Sequence, residues 1–331
     1  MIVVATGASG LLGRSVAERL RDAGHEVRAL QRRPSGVSGV TDAIGSVTDA
    51  AAVAAALDGA DAVVHMAAKV SLAGDPREFD RVNVDGTRIV LDAAQRAGVS
   101  RFVQVSSPSV AHAGSSLTGV GAEPAVPERA RGDYARTKAK GELLALGRSS
   151  SDFPVIAVRP HLVWGPGDTQ LVERIIDRAR RGTLPLLNGG TALIDTTYID
   201  NAASGIVAAL DAAPRVAGRS FVVTNGEPRP VAELFAGICA AAGVPAPRWS
   251  VAAGLGKAAG SLVERLWAIR PGEDEPPMTR FLAEQLSTAH WFDQRETRAA
   301  LDWAPAVSID EGFERLAQYY GGHSLPTAAA R

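Results

Sequence analysis

A tyrosine and a lysine lie four residues apart in a segment whose pattern predicts a helix. Tyr134 and Lys138 would face the same side of it, because residues four apart are neighbours on a helical surface. A phenol with a pKa near ~10 is a poor acid–base group at neutral pH, but a nearby cation favours its ionised form. Such a tyrosine can give a proton to a developing alkoxide while a nicotinamide transfers hydride. The chain holds four tyrosines and four lysines, so about 0.05 such pairs are expected by chance.

Two serines, Ser106 and Ser107, end the apolar segment that precedes this helix. In an open parallel sheet, ligands bind at the carboxyl ends of the strands. A serine hydroxyl at that edge can donate a hydrogen bond to the oxygen of a substrate. The residues alone leave open which of the two does so and which only shapes the turn.

A glycine-rich turn follows the first apolar segment and opens the first helical pattern. Gly7, Gly10 and Gly13 stand three residues apart. Such a turn needs a positive φ and close approach of the backbone to a pyrophosphate, and the helix N-terminus adds free N–H donors. The position between a strand and a helix therefore predicts dinucleotide binding.

Two arginines, Arg32 and Arg33, follow the second predicted strand, where a carboxylate would bind the ribose of NAD. Guanidinium groups suit the 2′-phosphate of NADP, because they are planar and offer several donors. We therefore expect NADP rather than NAD. The alternative is that both arginines are solvated surface residues.

The elements that must position these residues alternate between strand and helix. Strands are predicted at residues 2–6, 25–31, 61–66, 101–106 and 153–159, and helices at 11–23, 49–57, 77–97 and 133–147. This alternation indicates βαβ units and a doubly wound parallel sheet. Further strands are predicted at 192–197 and 219–224, and helices at 199–210, 230–242, 251–269, 278–284 and 309–320, with a Pro-rich connection at 271–277. We predict a dinucleotide-binding domain (1–160 and 191–224) and a smaller, mostly helical region that caps the substrate (161–190 and 225–331).

Composition excludes several classes of protein. The 331 residues carry a net charge of −1, which disfavours nucleic acid as a partner, and 46% are hydrophobic. One cysteine rules out an internal disulfide framework, and the six histidines show no metal-ligand spacing. No uncharged apolar stretch reaches the ~18 residues of a membrane span. We expect no metal, no membrane span and a cytoplasmic location.

Taken together, these segments resemble the extended short-chain dehydrogenase/reductase family, within the NAD-dependent epimerase/dehydratase superfamily. The resemblance rests on the glycine-rich turn, the Tyr134–Lys138 pair and DAVVHMAA (61–68), NVDGT (83–87), RFVQVSS (101–107), RP (159–160) and GPGD (165–168). A closer similarity, to the 3β-hydroxysteroid dehydrogenase group and to 2-alkyl-3-oxoalkanoate reductases of olefin biosynthesis, rests on SPSVAH (107–112), WGPGD (164–168), DTTYIDN (195–201), NGEP (225–228) and TRFLAEQLSTAHW (279–291).

The resemblance implies a Rossmann-type fold and a role for each matching residue. Tyr134 would be the acid–base, Lys138 would lower its pKa and hold the ribose, and Ser107 would polarise the substrate oxygen. Asn83 would order the helix near the nicotinamide. The remaining cofactor contacts would come from Gly7, Ser9, Gly10, Leu11, Leu12, Gly13, Arg32, Arg33, Val47, Ala67, Ala68, Lys69, Pro160 and Val163. An adenine contact from Ser46 is not expected, because Gly45-Ser46-Val47 lacks the acidic residue that relatives often carry there.

We therefore expect an NADP-dependent oxidoreductase that interconverts a ketone and a secondary alcohol on a large apolar substrate. The favoured reaction is reduction of a 2-alkyl-3-oxo acid to the 3-hydroxy acid. The alternatives are a 3β-hydroxysteroid dehydrogenase with or without isomerase activity, a nucleotide-sugar epimerase or dehydratase, and a non-catalytic NADP sensor. The resemblance also allows a homodimer. His112, in the long segment after Ser107, could serve the substrate or only pack the loop.

Overall fold

The computed structural model describes residues 1–71, 74–112, 114–269 and 279–321, and the side chains of 265–269 are outside this description. Its strands are β1 (Ile2–Thr6), β2 (Glu26–Gln31), β3 (Thr41–Ile44), β4 (Ala62–His65), β5 (Arg101–Val105), β6 (Leu117–Val120), β7 (Val155–Pro160), β8 (Val163–Trp164), β9 (Leu186–Leu187), β10 (Leu193–Ile194), β11 (Thr197–Tyr198), β12 (Ser220–Val223), β13 (Arg229–Pro230), β14 (Ser250–Val251) and β15 (His290–Phe292). Its α-helices are α1 (Leu11–Asp22), α2 (Ala50–Leu57), α3 (Pro76–Asp80), α4 (Gly86–Arg96), α5 (Gly132–Leu146), α6 (Val172–Arg180), α7 (Ile199–Ala212), α8 (Val231–Ala241), α9 (Ala253–Ile269), α10 (Arg280–Ser287), α11 (Arg295–Leu301) and α12 (Ile309–Gly321).

A seven-stranded parallel sheet forms the centre of the molecule, in the order β12-β7-β5-β4-β1-β2-β3. Its central strands are rich in valine and alanine, and β4 and β7 are buried along their whole length. Such runs are typical of strands covered by helices on both faces. All strands of this sheet run the same way, so their carboxyl ends meet at one edge. The predicted doubly wound α/β fold is confirmed.

Helices cover both faces of the sheet. One core joins α1 and α7 to the sheet through Val16, Leu20 and Ile206. The other core joins α2 and α4 to the opposite face, with Val53 and Val90 buried at its centre. Burial of such side chains supplies the main stabilisation of the layers.

The second half of the chain builds a core of its own. α6, α8 and α12 pack around Trp164 and Phe235, both of which are buried. Two pairs of short strands and a four-stranded sheet of order β13-β10-β15-β6 complete the sheets, and β6 joins this sheet from the first half of the chain. The predicted boundaries between a dinucleotide-binding domain and a capping region remain a prediction.

Several predicted elements are corrected by the structure. The predicted helix at 77–97 is α3 and α4 joined by a π-helix, Arg81–Asp85, which shifts the helical period. The predicted strand at 192–197 is two short strands, because Asp195 between them turns its carboxylate to a neighbouring loop. The predicted loop after Ser107 contains a 3₁₀-helix, Pro108–Ala111, and β6. The Pro-rich connection at 271–277 lies outside the described residues.

Candidate active site

The glycine-rich turn is held by close backbone packing. Gly7 has a φ of +79°, and a Cβ there would lie 2.9 Å from the backbone of Ala67. A Cβ on Gly13 would overlap the carbonyl oxygen of Gly7. The backbone packs closely at both glycines, as the sequence predicts. Any side chain there would force the end of β1 and the start of α1 apart.

The N-terminus of α1 is free to bind an anion. Gly10 is its N-cap and offers no side-chain hydrogen bond, and the first turn holds no acidic residue. The amides of Leu11, Leu12 and Gly13 therefore lack partners within the helix. With the positive end of the helix dipole and the exposed Ser9, they fit the pyrophosphate of a dinucleotide.

Arg32 and Arg33 follow β2 directly and are exposed. Neither makes a hydrogen bond or ion pair with any residue that the structure describes. The nearby carboxylate of Asp42 is already engaged, because it accepts hydrogen bonds from Gln31 Nε2 and the Ser35 amide, both at 3.0 Å. Two guanidinium groups at the end of β2 thus remain available to an anionic ligand.

The loop after β4 is fixed by a chain of buried hydrogen bonds. Thr6 Oγ1 accepts from the amides of Met66 (3.1 Å) and Ala67 (3.0 Å), and it lies 2.8 Å from His65 Nδ1. Burial lowers the pKa of His65 to about 3, so its ring is neutral. This chain, which the sequence did not predict, holds Ala67 and Ala68 against the glycine-rich turn.

Asn83 ties this loop to the helix of Tyr134. Its Oδ1 accepts from the Lys69 amide at 2.7 Å, and its Nδ2 donates to Thr137 Oγ1 of α5 at 3.0 Å. Asn83 belongs to the π-helix, a feature frequent at functional sites. Lys69 contributes only its backbone here, because its ammonium pairs with Glu78 at 2.5 Å.

Ser107, Tyr134 and Lys138 come together beyond the carboxyl end of β5. A hydrogen bond joins the Tyr134 hydroxyl to Ser107, and burial raises the tyrosine pKa to about 12. Lys138 Nζ donates to the Val105 carbonyl at 2.5 Å. Burial lowers the pKa of Lys138 to about 8, which the nearby carboxylate of Glu142 opposes. The phenol is thus protonated at neutral pH, because burial raises its pKa. This corrects the expectation that Lys138 lowers the pKa of Tyr134.

The structure distinguishes the two serines that the sequence left open. Ser107 is the one bonded to Tyr134, whereas Ser106 is buried and its Oγ has no partner among the described residues. Ser107 Oγ accepts from Ser109 Oγ (3.0 Å) and from the Ser109 amide (3.3 Å). Since both lone pairs of Ser107 Oγ are engaged, Ser107 donates its own hydrogen in the bond with Tyr134, an arrangement that the sequence did not predict.

The remaining predicted contacts lie around this edge. Pro160 ends β7 beside β5, and Val163 begins β8. Between them Leu162 has a φ of +42°, a left-handed backbone that leucine rarely adopts. Val47 is buried against Gly86, and Ser46 bonds to Thr48 at 2.8 Å. Whether any of these residues touches a cofactor stays a prediction.

The described residues contain neither a candidate metal site nor a membrane-spanning helix. No group of three or more His, Cys, Asp or Glu is placed to hold a metal ion. No helix of that part of the chain combines the length and the apolarity that crossing a membrane requires.

The glycine-rich turn, the parallel sheet and the Ser–Tyr–Lys arrangement agree with comparisons to known proteins. The model of the NAD dependent epimerase/dehydratase family matches residues 3–224. The chain belongs to this family. A 2-alkyl-3-oxoalkanoate reductase of Stenotrophomonas maltophilia (strain K279a) is 40% identical, over 96% of this chain and 98% of that protein.

One further relative and one solved structure of the same fold are also similar to this chain. A 3 beta-hydroxysteroid dehydrogenase/Delta 5-->4-isomerase of Mycobacterium tuberculosis is 29% identical, over 96% of this chain and 90% of its own. The solved structure of MoeE5 in complex with UDP-glucose and NAD superposes with a TM-score of 0.75 at 23% identity, covering 96% of this chain and 97% of MoeE5. The chain is thus an NAD(P)-dependent dehydrogenase or reductase of this family, acting on CH–OH groups.

Proposed function

We propose that this protein reduces a 2-alkyl-3-oxo acid to the 3-hydroxy acid with NADPH. The observation that carries the proposal is the hydrogen-bonded Ser107–Tyr134 pair, with Lys138 one turn further along α5. Support for the substrate comes from the 40% identity to a 2-alkyl-3-oxoalkanoate reductase along nearly the whole chain.

The protein residues would move one proton in this reaction. When bound, the nicotinamide supplies the hydride. Tyr134, protonated at neutral pH because burial raises its pKa to about 12, donates its proton to the oxygen of the former ketone. Ser107 donates a second hydrogen bond to the same oxygen, and the buried ammonium of Lys138 stabilises the tyrosinate left behind.

NADP is proposed over NAD because the two guanidinium groups after β2 have no partner among the residues that the structure describes. Each charge-assisted hydrogen bond to a 2′-phosphate contributes about 1.5–3 kcal/mol, or roughly 10- to 100-fold in affinity. Arg32→Ala and Arg33→Ala should therefore weaken NADPH binding by that factor and leave NADH binding unchanged. Arg215→Ala, an exposed arginine outside this site, is the control. Equal affinity of the wild type for NADPH and NADH would contradict the preference.

The reaction is tested by following NADPH absorbance with a synthetic long-chain 2-alkyl-3-oxo acid. Saturable consumption of NADPH and appearance of the 3-hydroxy acid are expected. A 3β-hydroxysteroid with NADP, followed by formation of NADPH, is the competing substrate to run in parallel, because a dehydrogenase of such steroids is a relative at 29% identity. Turnover of the steroid alone, or of a nucleotide sugar alone, would overturn the proposed substrate. A cytoplasmic location and a homodimer also remain proposals.

A further inference from the structure

Three buried histidines meet between the edge of the large sheet and the C-terminal region. His112 and His290 are 1% exposed and His161 is 6% exposed. The ring centroids of His112 and His290 lie 4.7 Å apart, and those of His161 and His290 lie 5.9 Å apart. We call these three side chains the histidine cluster.

The histidine cluster borders the candidate active site. His112 is joined to Ser107 by the 3₁₀-helix Pro108–Ala111, and five residues at about 2 Å each span about 10 Å. His161 follows the last residue of β7, which is the parallel neighbour of β5. His161 and Ser107 therefore leave the sheet at the same edge, where the substrate must lie.

Hydrogen bonds fix the tautomers of two members. His161 Nδ1 donates to the backbone oxygen of Asp195 at 2.7 Å, so its Nε2 carries a lone pair. His290 Nε2 lies 3.1 Å from Thr288 Oγ1, whose own hydrogen is donated to the Glu284 backbone oxygen at 2.6 Å. The hydrogen of that contact must come from His290, which leaves its Nδ1 as a bare acceptor.

Several ring nitrogens of the histidine cluster lack a hydrogen-bond partner among the described residues. His290 Nδ1 and both ring nitrogens of His112 are buried without a hydrogen-bond partner among the described residues. Buried polar groups are nearly always paired, and an unpaired one is costly. Since His112 is neutral and can offer only one N–H, the cluster holds several acceptors and a single free donor. A ligand that fits the histidine cluster must therefore offer a hydrogen-bond donor. An anionic group can do so only if a proton binds together with it.

Charged groups of both signs surround His112. Arg131 at the N-cap of α5, Arg280 on α10 and Lys257 on α9 are cations, whereas Glu284 on α10 is a carboxylate. Glu284 is already paired, at 2.9 Å with Arg280 and at 3.8 Å with Arg131.

The other carboxylate at this edge, Asp195, is turned away from the cluster. It accepts from the Thr224 hydroxyl at 2.6 Å and from the amides of Gly226 and Glu227. Among the charges that act on His112, the Glu284 carboxylate has the largest effect, ahead of Arg131 and Lys257, so an acid group that brings its own proton suits the cluster better than a bare anion. Burial lowers the pKa of His161 to about 4 and that of His290 to about 3, so the rings themselves are neutral at pH 7.

We propose that His112 and His290 bind the carboxylate group of the substrate, and that this group enters the site together with one proton. The proton adds to an imidazole nitrogen of the pair and gives an imidazolium–carboxylate hydrogen bond, so charge and atoms balance. The inference rests on the proposed function and assigns recognition of the acid group to residues outside the Ser–Tyr–Lys arrangement.

The first test compares a 2-alkyl-3-hydroxy acid with its primary amide, a neutral group of similar shape, as substrates for oxidation with NADP. The wild type should prefer the acid. His112→Phe, which keeps a ring beside His290, should lower kcat/KM for the acid by about 10- to 100-fold, the contribution of one charge-assisted hydrogen bond. The same substitution should change kcat/KM for the amide by less than about threefold. His25→Phe, a histidine at the amino end of β2, is the matched control.

The second test needs no variant. Calorimetric titration of the NADP-loaded wild type with the acid, in buffers of different ionisation enthalpy, should show uptake of about one proton per acid bound. The amide should show none. Equal oxidation of acid and amide, or binding of the acid without proton uptake, would overturn the carboxylate site and leave the proposed reaction standing. If neither compound is oxidised, the proposed reaction is wrong. Proton uptake on binding of the acid then still tests whether His112 and His290 bind its carboxylate.

Discussion

Removing one partner of the buried ion pair between α5 and β7 should destabilise the protein strongly. Arg159 is 2% exposed and Glu142 is fully buried. Arg159 Nε lies 3.0 and 3.2 Å from the two carboxylate oxygens, and a second guanidinium nitrogen also donates to Glu142. Ser220 donates to the same carboxylate at 2.9 Å. Both carboxylate oxygens of Glu142 thus accept hydrogen bonds.

The expected cost follows from which charge is left unpaired. Glu142→Ala would leave a buried guanidinium without a counter-ion, which costs about 3–5 kcal/mol. The free energy of unfolding of a native protein is about 5–15 kcal/mol, so this variant should be close to its stability limit. The double variant Glu142→Leu, Arg159→Met removes both charges and should cost much less, because no buried charge then remains.

Urea unfolding followed by circular dichroism measures these free energies. In a double-mutant cycle, Glu142 and Arg159 should show a coupling energy of at least about 2 kcal/mol. The exposed pair of Arg181 and Asp177, 3.0 Å apart, is the control and should couple by less than about 1 kcal/mol. Additive effects of the two buried substitutions would refute the reasoning.

Three further predictions concern the cofactor turn, the loop beside it and acid stability. Gly13→Ala should abolish NADPH binding in a fluorescence titration, because its methyl group would overlap the Gly7 carbonyl; undiminished binding would show that the turn can relax. Asn83→Ala removes the hydrogen-bond partner of the Lys69 amide and of Thr137 Oγ1. The free energy of unfolding should fall by about 2–3 kcal/mol, and the affinity for NADPH should fall with it. Burial lowers the pKa values of three histidines to about 3 or 4, so below pH 6.5 the unfolded chain binds more protons than the folded one and the free energy of unfolding falls as pH falls. Asp195 acts in the opposite direction, because its pKa in the folded protein is raised to about 6. Between pH 6 and 3.8 it offsets one of these protons. The net loss should be up to about 2.7 kcal/mol per pH unit in urea titrations between pH 6 and 5, and a flat profile would contradict it. These histidines are His65, His161 and His290.

Local patterns made much of the fold and site predictable. The glycine-rich turn and the Tyr134–Lys138 pair each lie within one strand–helix unit, so spacing along the chain determines their geometry. The parallel sheet was predictable because its strands are apolar runs separated by helical periods.

Contacts between distant segments were not predictable in this way. The contact of His112 with His290 depends on β15, a strand of three residues that is too short to show alternation. Asn201 is buried and bonds to Asn225 and to the backbone of Val307, 106 residues later in the chain. The π-helix that contains Asn83 changes the helical period by an insertion, and no residue type in the sequence indicates such an insertion.

The most direct test of the account is single-turnover oxidation of NADPH by Tyr134→Phe with the 2-alkyl-3-oxo acid. Because we propose Tyr134 as the proton donor, the variant should bind NADPH as the wild type does and consume it at least about 100-fold more slowly, at the low end for loss of a general acid. Tyr320→Phe is the control, since the buried Tyr320 hydroxyl has no hydrogen-bond partner among the described residues. A Tyr134→Phe enzyme that reduces the acid at the wild-type rate would contradict the central claim.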